Sequence, residues 1–493
     1  MFSQVLDLPF PLLISVVGLF FIISLVGTLC FSSLPKNKET APPDVSSSHL
    51  APGVLGRMME FGAPIKMVMR CYEKYGPVFT VRMFHKRITF LVGPEAQAPF
   101  FTSGDDELSQ QEVYGFMKPV FGKGVVYDAT RKDRQIQFQS MANGLRASRL
   151  KSYVTKIEKE CTAFFKTWGD EGTVDLLEAL SELTILTASR CLHGDDVREN
   201  LFREVAKLFH DLDKGVTPIT VFAPNLPTAA HRARDKARIE MKDLFAKVVR
   251  ERRADPSKSG DGLDVLSIFM ESKYRDGRPF SDDEITGLLI ALLFAGQHTS
   301  CITSTWTALH IAKDKKVLQK LHEEQGQVLA GKKKLDYDVV NKMEFVHNCM
   351  RETLRLCPPL ILLMRMALKD IPVSANGKKY TVPKGDIVMV SPAAAMRIPT
   401  VFPNPDDFDP DRFGPGREEH KVPYAYLGFG GGMHSCMGQN FAFLQVKIIM
   451  SILFRMYDIE LVSGKMPDID YEAMVVGPKG DCTIRYKRRH QTI

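Results

Sequence analysis

The sequence predicts a mainly α protein with a minor β part, an α+β fold, behind an N-terminal transmembrane helix. Three observations predict it. Helical periodicity dominates from about residue 130 to residue 365. Short β-branched, alternating runs flank that stretch, at 78–83 and 88–92 before it and at 371–373, 379–382 and 387–391 after it. An uncharged run from Leu8 to Phe31 precedes everything else.

As a helix, Leu8–Phe31 would span roughly 36 Å, against a hydrocarbon core of about 30 Å. Pro9 and Pro11 stand where they start the helix and do not interrupt it. A cleaved signal peptide is the competing expectation, but no basic segment precedes the run, which is also long for such a peptide. Asp7 lies before the span and Lys36 and Lys38 after it, so the positive-inside rule leaves the C-terminal bulk in the cytosol. Residues 33–53 are polar and rich in Pro and Ser, a stiff linker. The expected organisation is an anchor over 1–32, a linker over 33–53 and one catalytic domain over 54–493.

The net charge is +7, with 44% hydrophobic and 25% charged residues, an ordinary globular balance. No basic run with interleaved aromatics argues for nucleic acid, so none is expected as a partner. The excess suits an acidic partner or an anionic membrane surface. Nine cysteines are scattered without a CxxC pair, which speaks against a disulfide framework and against a structural zinc site.

One cysteine stands out. Cys436 lies in a loop with Gly430, Gly431, Gly432 and Gly438, followed by Phe441, Leu444, Ile448 and Ile452 at helical spacing. Glycines let a backbone take positive φ and approach a flat ligand closely. A cysteine just before a helix is placed to be a thiolate. A buried structural cysteine beside a turn is the plainer alternative.

Three motifs in order set that alternative aside. Phe429, Gly432, Cys436 and Gly438 give Phe-x-x-Gly-x-x-x-Cys-x-Gly; Glu352 and Arg355 give Glu-x-x-Arg; Phe408-Asp-Pro-Asp-Arg412 gives Phe-x-Pro-x-Arg. With them the chain resembles the cytochrome P450 family. The resemblance implies the cytochrome P450 fold, haem b with Cys436 as the axial thiolate and metal ligand, and a buried network of Glu352, Arg355 and Arg412 behind the cysteine loop. Taken alone, a Glu/Arg pair three residues apart is usually a solvated helix pair.

A helix predicted around 282–312 carries Phe294-Ala-Gly-Gln-His-Thr-Ser. Gly296 inside it costs about 1 kcal/mol against Ala, which makes sense where something passes close by. Thr299 is either a hydroxyl bonded to the preceding turn or, as the resemblance implies, a group delivering protons to dioxygen. His298 stands where most of the family carries an acid; it is read as a proton relay, against a structural histidine. This string, the stretch Tyr114–Asp128 and the tail Met474-Val-Val-Gly-Pro are similar to the sterol-demethylating branch of the family.

By position, the resemblance gives the haem propionates to Tyr114, Tyr127, Arg134, Arg365 and His434. Thr130 replaces a Trp common four residues before the propionate arginine, and Met433 replaces a common Arg, which removes a charge from the side expected to face the reductase. The implied substrate contacts are Phe116, Phe121, Val126, Ala291, Phe294, Ala295, Leu360, Leu362, Met364, Met474 and Val475, nearly all apolar as a sterol body requires; a core role is as good an account of each alone. In the enzymes this chain resembles, Phe at position 116 goes with sterols bearing one C4 methyl and Leu with two, so the resemblance implies a C4-monomethyl sterol. Segment 212–229, with three prolines, is expected along an access channel.

The implied reaction is removal of a sterol 14α-methyl group in three oxidations, with loss of formate. Each uses O2 and NADPH-derived electrons from a separate NADPH–cytochrome P450 reductase, because no nucleotide-binding Gly-rich motif is present. Azole-type haem-ligating inhibitors and a single-pass endoplasmic reticulum location are implied too. The alternatives are another membrane monooxygenase of lipids or xenobiotics, and a non-catalytic sterol- or haem-binding protein; Thr299 and Cys436 speak against the latter.

Overall fold

A computed structural model describes residues 39–489 apart from 48–52, 84–85, 218–219, 222, 260, 331–333 and 472. The predicted anchor lies outside the described residues, as do 33–38 and 48–52 of the predicted linker. The chain folds as two units. One takes the described residues up to Tyr114 with Leu360–Asp407 and Pro415–Ser435; the other takes Gly115–Pro359, Phe408–Gly414 and the chain from Cys436.

The first unit holds the predicted strands. Its five-stranded sheet runs Val78–Met83, Lys86–Leu91, Ile387–Val390, Leu363–Ala367, Leu108–Ser109. Only the Lys86–Leu91 and Ile387–Val390 pair is parallel. Thr80 and Thr89 face each other in the register, and their hydroxyls meet at 2.8 Å. Asp386 then accepts from Thr89 at 2.8 Å, so this buried polar row is satisfied within the sheet. Ile371–Ala375 and Lys378–Val382, two of the predicted strands, pair antiparallel as a hairpin. Phe100, Phe101, Val388, Val390, Phe402 and Leu427 pack beneath.

Leu363–Ala367 begins inside the stretch predicted as helical and runs past its end. Leu-Met-Arg-Met-Ala has no β-branched residue to mark a strand. Pairing with strands on both sides decides its conformation, overriding local propensity. Glu171–Asp175, also in that stretch, is likewise a strand, paired with Thr483–Arg488, which in turn pairs with Tyr457–Leu461.

The second unit is the helical one. Its main helices are Arg131–Gly144, Ala147–Lys166, Leu176–Leu192, Phe202–Lys214, Ala229–Ala254, Asp282–Lys313, Glu344–Leu356 and Gln439–Met456. Asp282–Lys313 starts at a capping box in which Ser281 and Glu284 satisfy each other's backbone N–H groups. It is the one described helix long and apolar enough to cross a membrane, but two-thirds of its most apolar window is buried in the protein, which makes it a core helix. Leu288, Leu289, Ile290 and Leu293 pack with Val120, Met241, Phe245 and Phe269. Each such side chain stabilises the fold by roughly 1.5–3 kcal/mol when fully buried.

Candidate active site

In the first unit, the cysteine loop is shaped by its own protein neighbours. Gly430 and Gly432 have φ +71° and +64°, the left-handed region that disfavours other residues. A Cβ on Gly432 would lie 1.9 Å from the Phe101 carbonyl oxygen, and one on Gly431 would press on the stacked rings of Phe101 and Tyr424. Gly431 and Gly432 are thus kept free of a side chain by the Phe101 segment.

The same unit brings four predicted residues together. Tyr114 accepts from the Met364 N–H at 3.3 Å, and burial pushes its phenol up. His434 Nε2 meets Asp105 at 2.7 Å. Arg365, on the Leu363–Ala367 strand, is 1% exposed. It donates to the Phe100 carbonyl and lies over that residue's ring at 4.4 Å. Burial pulls its guanidinium down to about 10, with the charges of Asp105 and Tyr114 working the other way. Its Nε is buried with no hydrogen-bond partner among the described residues. An orphaned, buried cationic donor suits a carboxylate-bearing ligand. Leu362 is half-buried just before this strand, and Leu360 is exposed.

In the second unit, Cys436 precedes the Gln439–Met456 helix, as predicted. Among the described cysteines it is the exposed one; six others are buried and Cys357 is intermediate. Its thiol is nevertheless pushed up, because desolvation outweighs the lowering effect of the Gly438 and Gln439 N–H groups. The helix start alone does not make it a thiolate. A metal at the sulfur would, since a coordinated thiol loses its proton. Met437 beside it is exposed, as is Met433 in the first unit.

Glu352 and Arg355 are a fully buried pair and not a solvated one. Arg355 donates through Nε and Nη2 to both Glu352 oxygens at 2.8 Å, a bidentate geometry. Arg412 Nε adds a third contact at 3.3 Å, and the Asp409 N–H a fourth at 3.0 Å. Phe408 stacks on His310 at 4.3 Å, which fixes the segment carrying Arg412.

The segment after Tyr114 is buried and strained. Phe116, Phe121 and Val126 are all buried. Val126 has φ +48°, an unusual conformation for a β-branched residue. Gln137 holds it, accepting from the Val126 N–H at 2.9 Å while donating to the Gly124 carbonyl and to Tyr274. Tyr274 continues to Glu284 at the start of the long helix. Arg134, in the first turn of the helix that Thr130 caps, is 4% exposed; Tyr127 is half-buried and packs on Phe121.

On the long helix, Phe294 joins Phe121 and Phe209, Ala291 is buried, and Ala295 is exposed. Gly296 has open space where a Cβ would stand. Thr299 donates to the Ala295 carbonyl at 2.7 Å, the back-bond expected of a helical threonine. His298 is not isolated: its Nε2 lies 2.9 Å from Asp213, at ion-pair distance but without hydrogen-bond alignment. Phe209 and Asp213, both on Phe202–Lys214, are not among the predicted site residues; Asp213 lies in the 212–229 segment expected along an access channel, and the strong amphipathicity of the helix is the further signal for both. The tail returns to this helix. The Val476 N–H donates to Pro359 at 2.8 Å, Gly477 abuts Ile302, and half-buried Met474 and Val475 stand beside them. Val475 and His298 line one pocket.

A glycine-rich loop running to an exposed cysteine at a helix start, with a buried Glu/Arg/Arg triad, defines the haem-thiolate class of protein. The family model described as cytochrome P450 matches residues 51–484. The chain is 47% identical to the sterol 14-demethylase of Arabidopsis thaliana, over 93% of this chain and 94% of that one. It is 47% identical to the obtusifoliol 14-alpha demethylase of Sorghum bicolor, over 92% and 91%, and 42% identical to the lanosterol 14-alpha demethylase of Mus musculus, over 88% and 86%. A retinoic acid-bound cyanobacterial CYP120A1 matches with a TM-score of 0.78 at 22% identity, over 92% of this chain and all of that one, which is a likeness of fold. The chain belongs to the cytochrome P450 family and is a haem-thiolate monooxygenase.

Proposed function

We propose that this chain removes the 14α-methyl group of a sterol and favours sterols with a single C4 methyl. The observation that carries the proposal is its likeness, over more than nine-tenths of both chains, to enzymes named sterol 14-demethylase and obtusifoliol 14-alpha demethylase.

The donor set fits haem b. Cys436 is the proposed thiolate ligand. Arg365, with its orphaned Nε, Tyr114 and His434 in the first unit, and Arg134 and Tyr127 in the second, are the proposed propionate donors. Bound haem supplies dioxygen activation, with electrons from a separate NADPH–cytochrome P450 reductase. The protein's own task is to bury the sterol and govern protons. Phe116, Phe121, Val126, Ala291, Phe294, Ala295, Met474 and Val475, with Leu360, Leu362 and Met364 from the first unit, are the proposed sterol contacts. The Phe116 ring crowds the C4 face. Thr299 and His298 handle protons, and Asp213 stands 2.9 Å from the imidazole. Anchorage of a cytosolic catalytic domain, 54–493, to the endoplasmic reticulum through 1–32 and the 33–53 linker belongs to the same proposal, as does inhibition by azoles that ligate haem iron.

Reconstitution with reductase and a panel of 14α-methyl sterols tests it. Obtusifoliol, with one C4 methyl, is expected to turn over faster than lanosterol, with two. Equal rates would remove the C4 preference, and no demethylation of any sterol would overturn the function. His298→Ala is expected to slow turnover more than it weakens sterol binding; the opposite pattern would make the histidine structural.

A further inference from the structure

His298 has two surroundings. On one side stand Asp213 and the Phe209 ring, both from Phe202–Lys214. On the other it lines a pocket of about 450 Å³. That wall carries Glu178, Ser181 and Glu182 from Leu176–Leu192, Cys301 from the histidine's own helix, and Asp470 from the tail. Glu178 and Glu182 are exposed and four residues apart, so they share one helix face. Among the described residues neither carboxylate has an ion-pair or hydrogen-bond partner, and no lysine or arginine lines the pocket. Ser181 accepts from Gln297 Nε2 at 3.0 Å, which pins the two helices together at this point.

We propose that Glu178 and Glu182 collect protons from solvent and pass them through this pocket to His298. This rests on the proton role given to His298 above. Each round consumes two protons and two electrons: one oxygen atom of O2 enters the substrate and the other leaves as water. Two unpaired carboxylates beside an opening concentrate cations, hydronium included. A proton leaves a carboxylic acid at the pocket mouth and arrives on the imidazole, and the carboxylate is recharged from solvent. Histidine is the side chain suited to take it up and release it near neutral pH. Cys301 cannot substitute, since burial pushes its thiol up to about 12. The two glutamates act through His298 and touch no substrate.

The test uses the full-length holoenzyme with saturating sterol and reductase, carrying Glu178→Gln and Glu182→Gln together. Turnover and product per NADPH are followed from about pH 6 to about pH 8.5, in H2O and D2O. Near the alkaline end turnover is expected to fall about 5- to 10-fold, less than the ~100-fold typical of losing a general acid itself. Near the acid end, where hydronium is plentiful, the loss should shrink. The solvent isotope effect should rise, sterol affinity should stay constant, and the paired Asp variant should restore the rate. A pH profile that superposes on the wild type, or a loss equal at every pH, would overturn the proposal. His298→Ala in the same series separates the two levels. If it keeps the wild-type rate and profile, the histidine's proton role falls; if it is slow while the Gln pair is not, only the glutamates' role falls.

Discussion

Arg355 and Arg365 are ten residues apart in the chain and equally buried, yet their surroundings are opposite. In the second unit, Arg355 shares Glu352 with Arg412 and the Asp409 N–H, so donors and carboxylate oxygens saturate each other. In the first unit, Arg365 has a carbonyl, a ring face and an Nε with no partner among the described residues. A buried charge that is paired belongs to the fold. A buried charge left with a free donor is held ready for something the chain does not itself supply.

The largest effect should come from breaking the closed set. Arg355→Met removes the bidentate partner of the buried Glu352 carboxylate, leaving it only Arg412 and the Asp409 N–H, and should cost about 3–5 kcal/mol, read as a lower denaturant midpoint and loss of recoverable holoprotein. Arg355→Lys should not rescue it, because an ammonium cannot bond both oxygens in one plane.

The next effect is a pH dependence in the segment bearing Arg412. Burial holds His310, stacked on Phe408, down at about 4 against an ordinary 6.5. The unfolded chain therefore takes up this proton first as pH falls. Stability from this group is present above about pH 6.5 and is lost on descent to about pH 4, by about 3 kcal/mol. His310→Phe keeps a ring against Phe408 and should flatten that part of the slope; an unchanged slope would mean other groups carry it.

Arg365→Met sharpens the contrast from the other side. With no carboxylate bonded to Arg365 among the described residues, the haem-free protein should keep its stability, while haem retention falls by about 2 kcal/mol, the worth of a charged hydrogen bond. Destabilisation like that of Arg355→Met would make Arg365 structural. The smallest effect is Phe116→Leu, which should shift relative turnover towards C4-dimethyl sterols by about 1 kcal/mol, several-fold in the ratio of kcat/KM.

Much of this was legible in the sequence where local patterns carry information. The cysteine loop, the helix after it, the long helix and most strands of the first unit lie where spacing and composition place them. Tyr457–Leu461 alternates buried and exposed residues and could have been found in the same way. Leu363–Ala367 could not, because its conformation comes from two partner strands and not from its own residues. The pairings were hidden for a related reason. By spacing alone Glu352 and Arg355 read as a surface pair; only the family resemblance points to their burial, because the 408–412 segment that closes over them lies more than 50 residues away. The Asp213–His298 contact joins helices far apart in sequence, and the left-handed Val126 depends on Gln137 in the following helix.

The central claim is a haem whose iron is bound by the Cys436 thiolate. The reduced, carbon monoxide-bound spectrum of the full-length protein and of Cys436→Ala tests it most directly. The wild type should show the strongly red-shifted Soret band of thiolate ligation, and the variant should lose it. A wild type lacking that band, or a variant keeping it, would contradict the account.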